Sequence, residues 1–265
     1  MNITALVENY SANNLKATHG LSLYIKTIKH KILFDLGPND TLFGNAKKLN
    51  IDLKKVDIVI ISHGHSDHGG ALKQFLEINK HAKVYVQRRA FTKHYAKTLF
   101  CKINIGIDEM LSYHPQIVLL DGDYKIDDEL ELFTVNLSSK CYSSANDMLL
   151  EDNVKDTFLH EQNLIIHGKL NILILGCGHQ GIVNILETAI KYQPKVCVGG
   201  YHLYNPITKK TVSNKLLDKI SNEIIKYSIK FYTCHCTGIK AYKYLANKVQ
   251  DMHYLSCGES IEIEE

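Results

Sequence analysis

The sequence predicts an α/β protein with mixed β-sheets and helices outside them. Three observations carry this. Strand-like aliphatic runs are joined both by tight polar turns and by helical segments, so antiparallel and parallel pairing must coexist. The run at 56–61 is apolar almost throughout, as a strand buried on both faces requires. No internal repeat or low-complexity linker divides the 265 residues. One domain spanning 1–265 is therefore the simplest organisation.

In chain order, residues 3–7, 21–28 and 31–35 read as strands, the last two joined as a hairpin at Lys29-His30. Gly37-Pro38-Asn39-Asp40 breaks the chain before helical spacing at 42–49. The buried strand 56–61 ends at Ser62, and 72–78 reads as a helix. Residues 83–86 read as strand, 89–99 as helix, 117–120 and 130–135 as strands. Residues 164–167 and 171–175 form a second hairpin around Gly168. Helix 181–192, strand 195–198, helix 214–227, strand 229–233, helix 239–248 and a short strand 260–264 complete the series. The least periodic stretch, 137–156, is rich in Ser, Asn and Asp and reads as a long loop, of the kind that covers a site.

Composition excludes several classes. Hydrophobic residues make up 45% and charged residues 22%, which allows a full core. A net charge of +3 without a basic block gives no case for nucleic acid. No apolar run reaches the ~18–20 residues of a membrane span, and the start lacks the pattern of a signal peptide. Seven cysteines, an odd number, favour reduced thiols and a cytoplasmic protein. The expected partner is a small-molecule substrate; the oligomeric state is not legible.

The chemistry concentrates in ISHGHSDHGG, residues 61–70. Imidazole and carboxylate are good ligands for zinc and similar metals. On an extended backbone His63 and His65 share a direction and can converge on one ion, while Asp67 and His68 turn toward another. Two ions roughly 3.5–4 Å apart could share a bridging hydroxide, a nucleophile at neutral pH. A polar turn with hydrogen-bonded histidines is the bland alternative, and a one-metal structural site a weaker one. Further ligands should also follow aliphatic strands. His179, His202 and His235 do, with glycines flanking the segments of the first two and Gly238 following the third, and open α/β sheets place sites at strand carboxyl ends. Asp35 ends a strand in the same way and suits an acceptor that orients a ligand imidazole. His30, His81, His94, His114, His160, His167 and His253 lack that setting and read as surface or structural. Cys177, Cys234 and Cys236 read as small buried packing residues in preference to thiolate ligands.

HxHxDH after a buried strand, with Asp35 in LFDLG ahead of it, resembles the metallo-β-lactamase superfamily. The segments THGLS (18–22), HEQNLII (160–166), GCGHQGIVN (176–184), GGYHL (199–203) and CHCTG (234–238) run in the order of one subgroup. Its members are similar to 7,8-dihydropterin-6-methyl-4-(β-D-ribofuranosyl)aminobenzene-5′-phosphate synthase. The resemblance implies an αββα sandwich of two mixed sheets with outer helices and a metal site at one edge. It implies His63, His65 and His179 on one ion and Asp67, His68 and His235 on the other. His202 would lie near substrate as proton donor or oxyanion stabiliser, and His19 in the pocket. Two departures accompany it. The bridging aspartate of many members has no counterpart here. The stretch VNLSSKCYSSAN (135–146) has no arginine to hold a substrate phosphate.

The expected protein is thus a metal-dependent hydrolase using two divalent ions, zinc before manganese or iron. Its substrate would be small, anionic and phosphoester-like, attacked by metal-bound hydroxide with Asp67 and His202 assisting. The rivals are a synthase-like transferase, a di-iron redox protein and a non-catalytic metal-binding protein.

Overall fold

The computed structural model describes residues 1–135 and 140–264. Two seven-stranded sheets lie face to face. The first runs, edge to edge, through Ser260–Glu262, Asn2–Val7, Ser22–Lys26, Lys31–Phe34, Ile58–Ile61, Lys83–Gln87 and Ile117–Leu120. It is antiparallel up to Lys31–Phe34 and parallel beyond it. The second runs through Met252–Tyr254, Lys230–Thr233, Val196–Gly199, Ile172–Ile174, Asn163–Ile166, Leu130–Phe133 and Tyr124–Lys125. Its first four strands are mutually parallel and its last four antiparallel. Both sheets are mixed, because the chain uses hairpins where its turns are short and helical crossovers where they are long.

Alternation along each strand builds the layers. Ile58 and Ile60 point inward with Ile32 and Phe34, against Leu132, Leu164, Ile166, Ile172, Ile174 and Val198 of the other sheet. Val59 and Ile61 point outward against Leu42, Leu72, Phe75 and Leu76 of the helices Thr41–Lys48 and Leu72–Ile78. On the far side, Leu173, Cys197 and Phe231 pack under Ile182–Ala189, Asn214–Ile224 and Ile239–Ala246. The result is an αββα sandwich. Ile174→Ala, in the layer between the sheets, is expected to cost roughly 2–5 kcal/mol of stability. Urea unfolding checks this, and a cost near zero would mean that the two sheets do not share a core there.

Three expectations are corrected. Residues 89–99 are not a helix: a 3₁₀ turn Arg88–Phe91 leads into a strand, His94–Lys97. Alternate burial of His94 and Ala96, and pairing with both Lys102–Asn104 and Leu149–Glu151, override the local helical spacing. The stretch 137–156 is more than loop. Residues 137–139 lie outside the described residues, but a 3₁₀ turn Ser144–Met148 and strands Leu149–Glu151 and Val154–Lys155 follow. They complete a small four-stranded sheet over the edge of the sandwich. Finally, the motif is not extended throughout: Ser66–Gly69 is one helical turn, closed by the His68 and Gly69 N–H groups on the His65 carbonyl. Among the described residues, no helix is long and apolar enough to cross a membrane.

Candidate metal centre

Asp35, Ser62, Cys177, His202 and His235 each lie just past the carboxyl end of a strand, at one edge of the sandwich. Tight backbone geometry brings them together. Asp35, His202 and His235 hold left-handed backbone at φ +61°, +45° and +48°, a strain that persists only where surrounding contacts enforce it. Gly176 is required because a Cβ there would collide with Ser62 Oγ.

The side chains form two adjoining groups. In one, His63 Nε2 lies 3.0 Å from His65 Nδ1 and 3.3 Å from His179 Nε2. In the other, His235 Nε2 lies 3.2 Å from His68 Nε2 and 3.3 Å from Asp67 Oδ2. All but Asp67 are buried; its carboxylate is about a quarter exposed.

Their far sides decide the tautomers. Asp35 accepts the Ser62 N–H on Oδ1 (2.7 Å), and the Ser62 hydroxyl (2.7 Å) and His68 Nδ1–H (2.6 Å) on Oδ2. The Ser62 hydroxyl hydrogen is thereby spent, so His63 Nδ1–H donates to Ser62 Oγ at 2.8 Å. The Asn146 amide donates to the His179 carbonyl, which turns its oxygen toward His179 Nδ1–H at 2.8 Å. The Asn9 oxygen accepts the Gly20 N–H and, at 2.9 Å, His235 Nδ1–H. His63, His68, His179 and His235 therefore each present an Nε2 lone pair. Lone pairs facing one another at these distances repel unless a cation lies between them, so both groups fit divalent ions bound by nitrogen and carboxylate. Asp35→Asn would put an amide N–H where Ser62 and His68 need an acceptor, forcing His68 to reverse its tautomer. Metal affinity is expected to fall about 10–100-fold. Chelator competition checks this, and unchanged affinity would rule out the orienting role of Asp35.

Two buried carboxylates fix the ligand backbones. Glu161 accepts the His179 and Gln180 N–H groups at 2.7 and 2.8 Å. Glu8 accepts the His235 N–H and the Tyr254 hydroxyl, both at 2.6 Å. Phe158 stacks on the His179 ring with centroids 4.4 Å apart. Ser62, Asn9, Asn146 and Glu8 were not singled out from the sequence. Ser62 adjoins the motif and was within reach; the other three come from distant loops and carry no local signal. His94 and His160, with Asp156 and His65, form another buried group of potential ligands. Here His160 Nδ1 accepts the Gly64 N–H at 3.0 Å, so its proton is on Nε2, which donates to Asp156 at 3.1 Å. That nitrogen has no lone pair to give, and the group serves to fasten the motif loop.

His19, Asp67, His179, His202 and His235 line a cavity of about 220 Å³. Its walls are apolar: Ala96, Ile105, Ala145, Leu149, Pro206 and Ile207. His19 stands at the rim, 3.3 Å from Asp67 Oδ2. Neither ring nitrogen of the buried His202 has a hydrogen-bond partner among the described residues.

Burial first, and neighbouring imidazoles next, hold His63, His65 and His179 well below the usual range. Burial also pushes His235 down to about 3 and His202 to about 4, with Asp67 opposing both. In the metal-free chain these rings stay neutral while unfolded histidines take protons below ~6.5. The unfolded state then binds more protons, so stability falls as pH falls. Burial pushes Glu161 up to about 7 and raises Glu8, and Asp35 and Asp67 outweigh burial to raise His68; the protons that these groups retain in the folded state oppose the trend in part. The chelated protein is expected to lose melting temperature steadily from about pH 6.5 to about pH 4. A flat profile would contradict the neutral, buried cluster.

Residues 16–137 match the family model of the metallo-beta-lactamase superfamily. The chain is 31% identical to the 7,8-dihydropterin-6-methyl-4-(β-D-ribofuranosyl)-aminobenzene-5′-phosphate synthase of Methanocaldococcus jannaschii, over 98% of this chain and 96% of that one. It is 30% identical to an uncharacterized protein of the same organism, over 90% of this chain and 91% of that one. Among solved structures, it is similar to Tm1679, a metal-dependent hydrolase of the beta-lactamase superfamily. That match has a TM-score of 0.83 and 27% identity, with both chains covered in full.

Proposed function

The chain belongs to the metallo-β-lactamase superfamily, and from that premise we propose that it is a metal-dependent hydrolase of a small substrate. One divalent ion would be held by His63, His65 and His179 and the other by Asp67, His68 and His235, with zinc the first expectation. The observation that carries this reading is the set of four fixed Nε2 lone pairs converging beside a carboxylate at the floor of a cavity. When bound, two such ions supply a Lewis acid and water of lowered pKa.

The chain's own residues do the rest. Asp67, the ligand left partly open, faces His19 across the cavity mouth and would orient the attacking water. His202, neutral at pH 7, would donate one N–H to the oxygen on which charge develops. The aliphatic walls would exclude water and take an apolar portion of the substrate. Among the described residues, no lysine or arginine lines the cavity, so an anionic group there would rely on the ions, His19 and His202. The volume lies below the ~300–1,000 Å³ of sites for drug-sized ligands, which favours a small substrate. The seven cysteines, all free thiols, support a reducing, cytoplasmic setting.

A second reading, a transferase joining a pterin to an aminobenzene ribose phosphate, is favoured by the 31% identity to a synthase over nearly the whole chain. The deciding experiment sets the zinc-loaded protein against small carboxylic esters and phosphoesters, and against that pair of joining substrates. Hydrolysis abolished by chelator and restored by zinc is expected. Joined product without hydrolysis would replace the hydrolase reading with the transferase.

A further inference from the structure

We propose that Cys177 binds the metal pair as a thiolate, from its place in the seam between the two ligand groups. The proposal rests on the two-ion reading above and adds a ligand to it.

Position is the first argument. Cys177 follows the strand Ile172–Ile174 in the turn Gly176-Cys177-Gly178, with Gly178 at φ +62°. That turn aims a buried sulfur into the seam between the two groups. Its Sγ lies 3.1 Å from the Nε2 lone pair of His68. It also lies within 4.8 Å of ligand nitrogens of His63 and His179 in one group and of His68 and His235 in the other. Cys236 lies near Cys177 and His235 as well. Cys236 is occupied by the backbone: it accepts the His202 N–H at 3.2 Å and donates to the Cys177 carbonyl at 3.3 Å. His202, buried and without a partner at either ring nitrogen, borders the same sulfur.

Charge is the second argument. Against two divalent ions among four or more neutral imidazoles stand only Asp67 as a ligand carboxylate and Asp35 one hydrogen bond further out, behind His68. Buried uncompensated charge is costly. A thiolate removes one further unit of that charge at the point where both ions repel most. The step is simple ligand exchange: the S–H bond breaks, its proton passes to solvent, and sulfur bonds to the metals with no change of oxidation state. A coordinated thiol is deprotonated outright, and soft thiolate suits zinc.

The test uses the full chain, stripped with chelator and reloaded with cobalt(II). Wild type and Cys236→Ser are expected to show an intense near-ultraviolet sulfur-to-cobalt charge-transfer band. Cys177→Ser and Cys177→Asp should lose it while keeping the visible ligand-field bands of bound cobalt. Retention of the band in Cys177→Ser, or its absence in a wild type that holds both cobalt ions, overturns the proposal and leaves the two-ion reading standing. A wild type that binds no cobalt defeats both. Should the Cys177 variants fail to fold, X-ray absorption of zinc-loaded wild type and Cys236→Ser decides. A sulfur shell at about 2.3 Å in both supports the ligand, and only nitrogen and oxygen neighbours refute it.

Discussion

His235→Ala and His63→Ala are each expected to hold one metal equivalent fewer than the wild type, while both keep their fold. The two rings serve different groups. His235 Nε2 meets His68 and Asp67, whereas His63 Nε2 meets His65 and His179. The fold survives because what fixes the His235 loop is its backbone N–H on Glu8, which alanine retains. At His63, Asp35 still holds the Ser62 N–H and hydroxyl. Hydrolysis should fall far more than stability. Losing one of two Lewis acids removes several kcal/mol of transition-state stabilisation, roughly 10²–10⁴ in rate. Elemental analysis and melting temperature, measured side by side, check both halves. Unchanged metal in His235→Ala would dismiss the second ion. Loss of both ions from either variant would mean that the groups bind as one cooperative unit.

The sandwich and the strand-end placement of the histidines were legible because both depend on local pattern. Ile58–Ile61 declares a doubly buried strand, and whatever follows such a strand lies at a sheet edge. The strand His94–Lys97 was not legible, because its partners, Lys102–Asn104 and the distant Leu149–Glu151, flank it in the sheet and impose pairing on a segment whose own spacing favours helix. Asn9 and Asn146 were equally silent. Each is one asparagine in a polar loop, and its meaning arises only when folding sets its amide oxygen against a ligand ring. His160 shows the converse. Its type and burial suit a ligand, and only the Gly64 N–H on its Nδ1 reveals that its other nitrogen carries the proton.

His202→Ala is expected to leave metal content unchanged and to lower turnover roughly 10²–10³-fold, the usual cost of one lost oxyanion donor. His202 lies against His179, ring centroids 4.0 Å apart, yet neither of its nitrogens takes part in the two ligand groups or bonds elsewhere among the described residues. A buried polar ring left unpaired costs stability, and the left-handed backbone at φ +45° adds strain. Such costs are retained where a ligand supplies the missing bond. Because burial keeps the ring neutral down to about pH 4, its donor is present across the working range. The wild-type rate should therefore show no loss between pH 5 and 8 that traces to His202. His202→Gln, which keeps an N–H donor of similar reach, should recover part of the lost kcat with little change in KM. Stability should change much less than turnover: the packing lost against His179 is offset by removing a buried polar ring. A variant that loses metal, or that loses melting temperature in step with activity, would make His202 a packing residue behind His179 and end its role in the reaction.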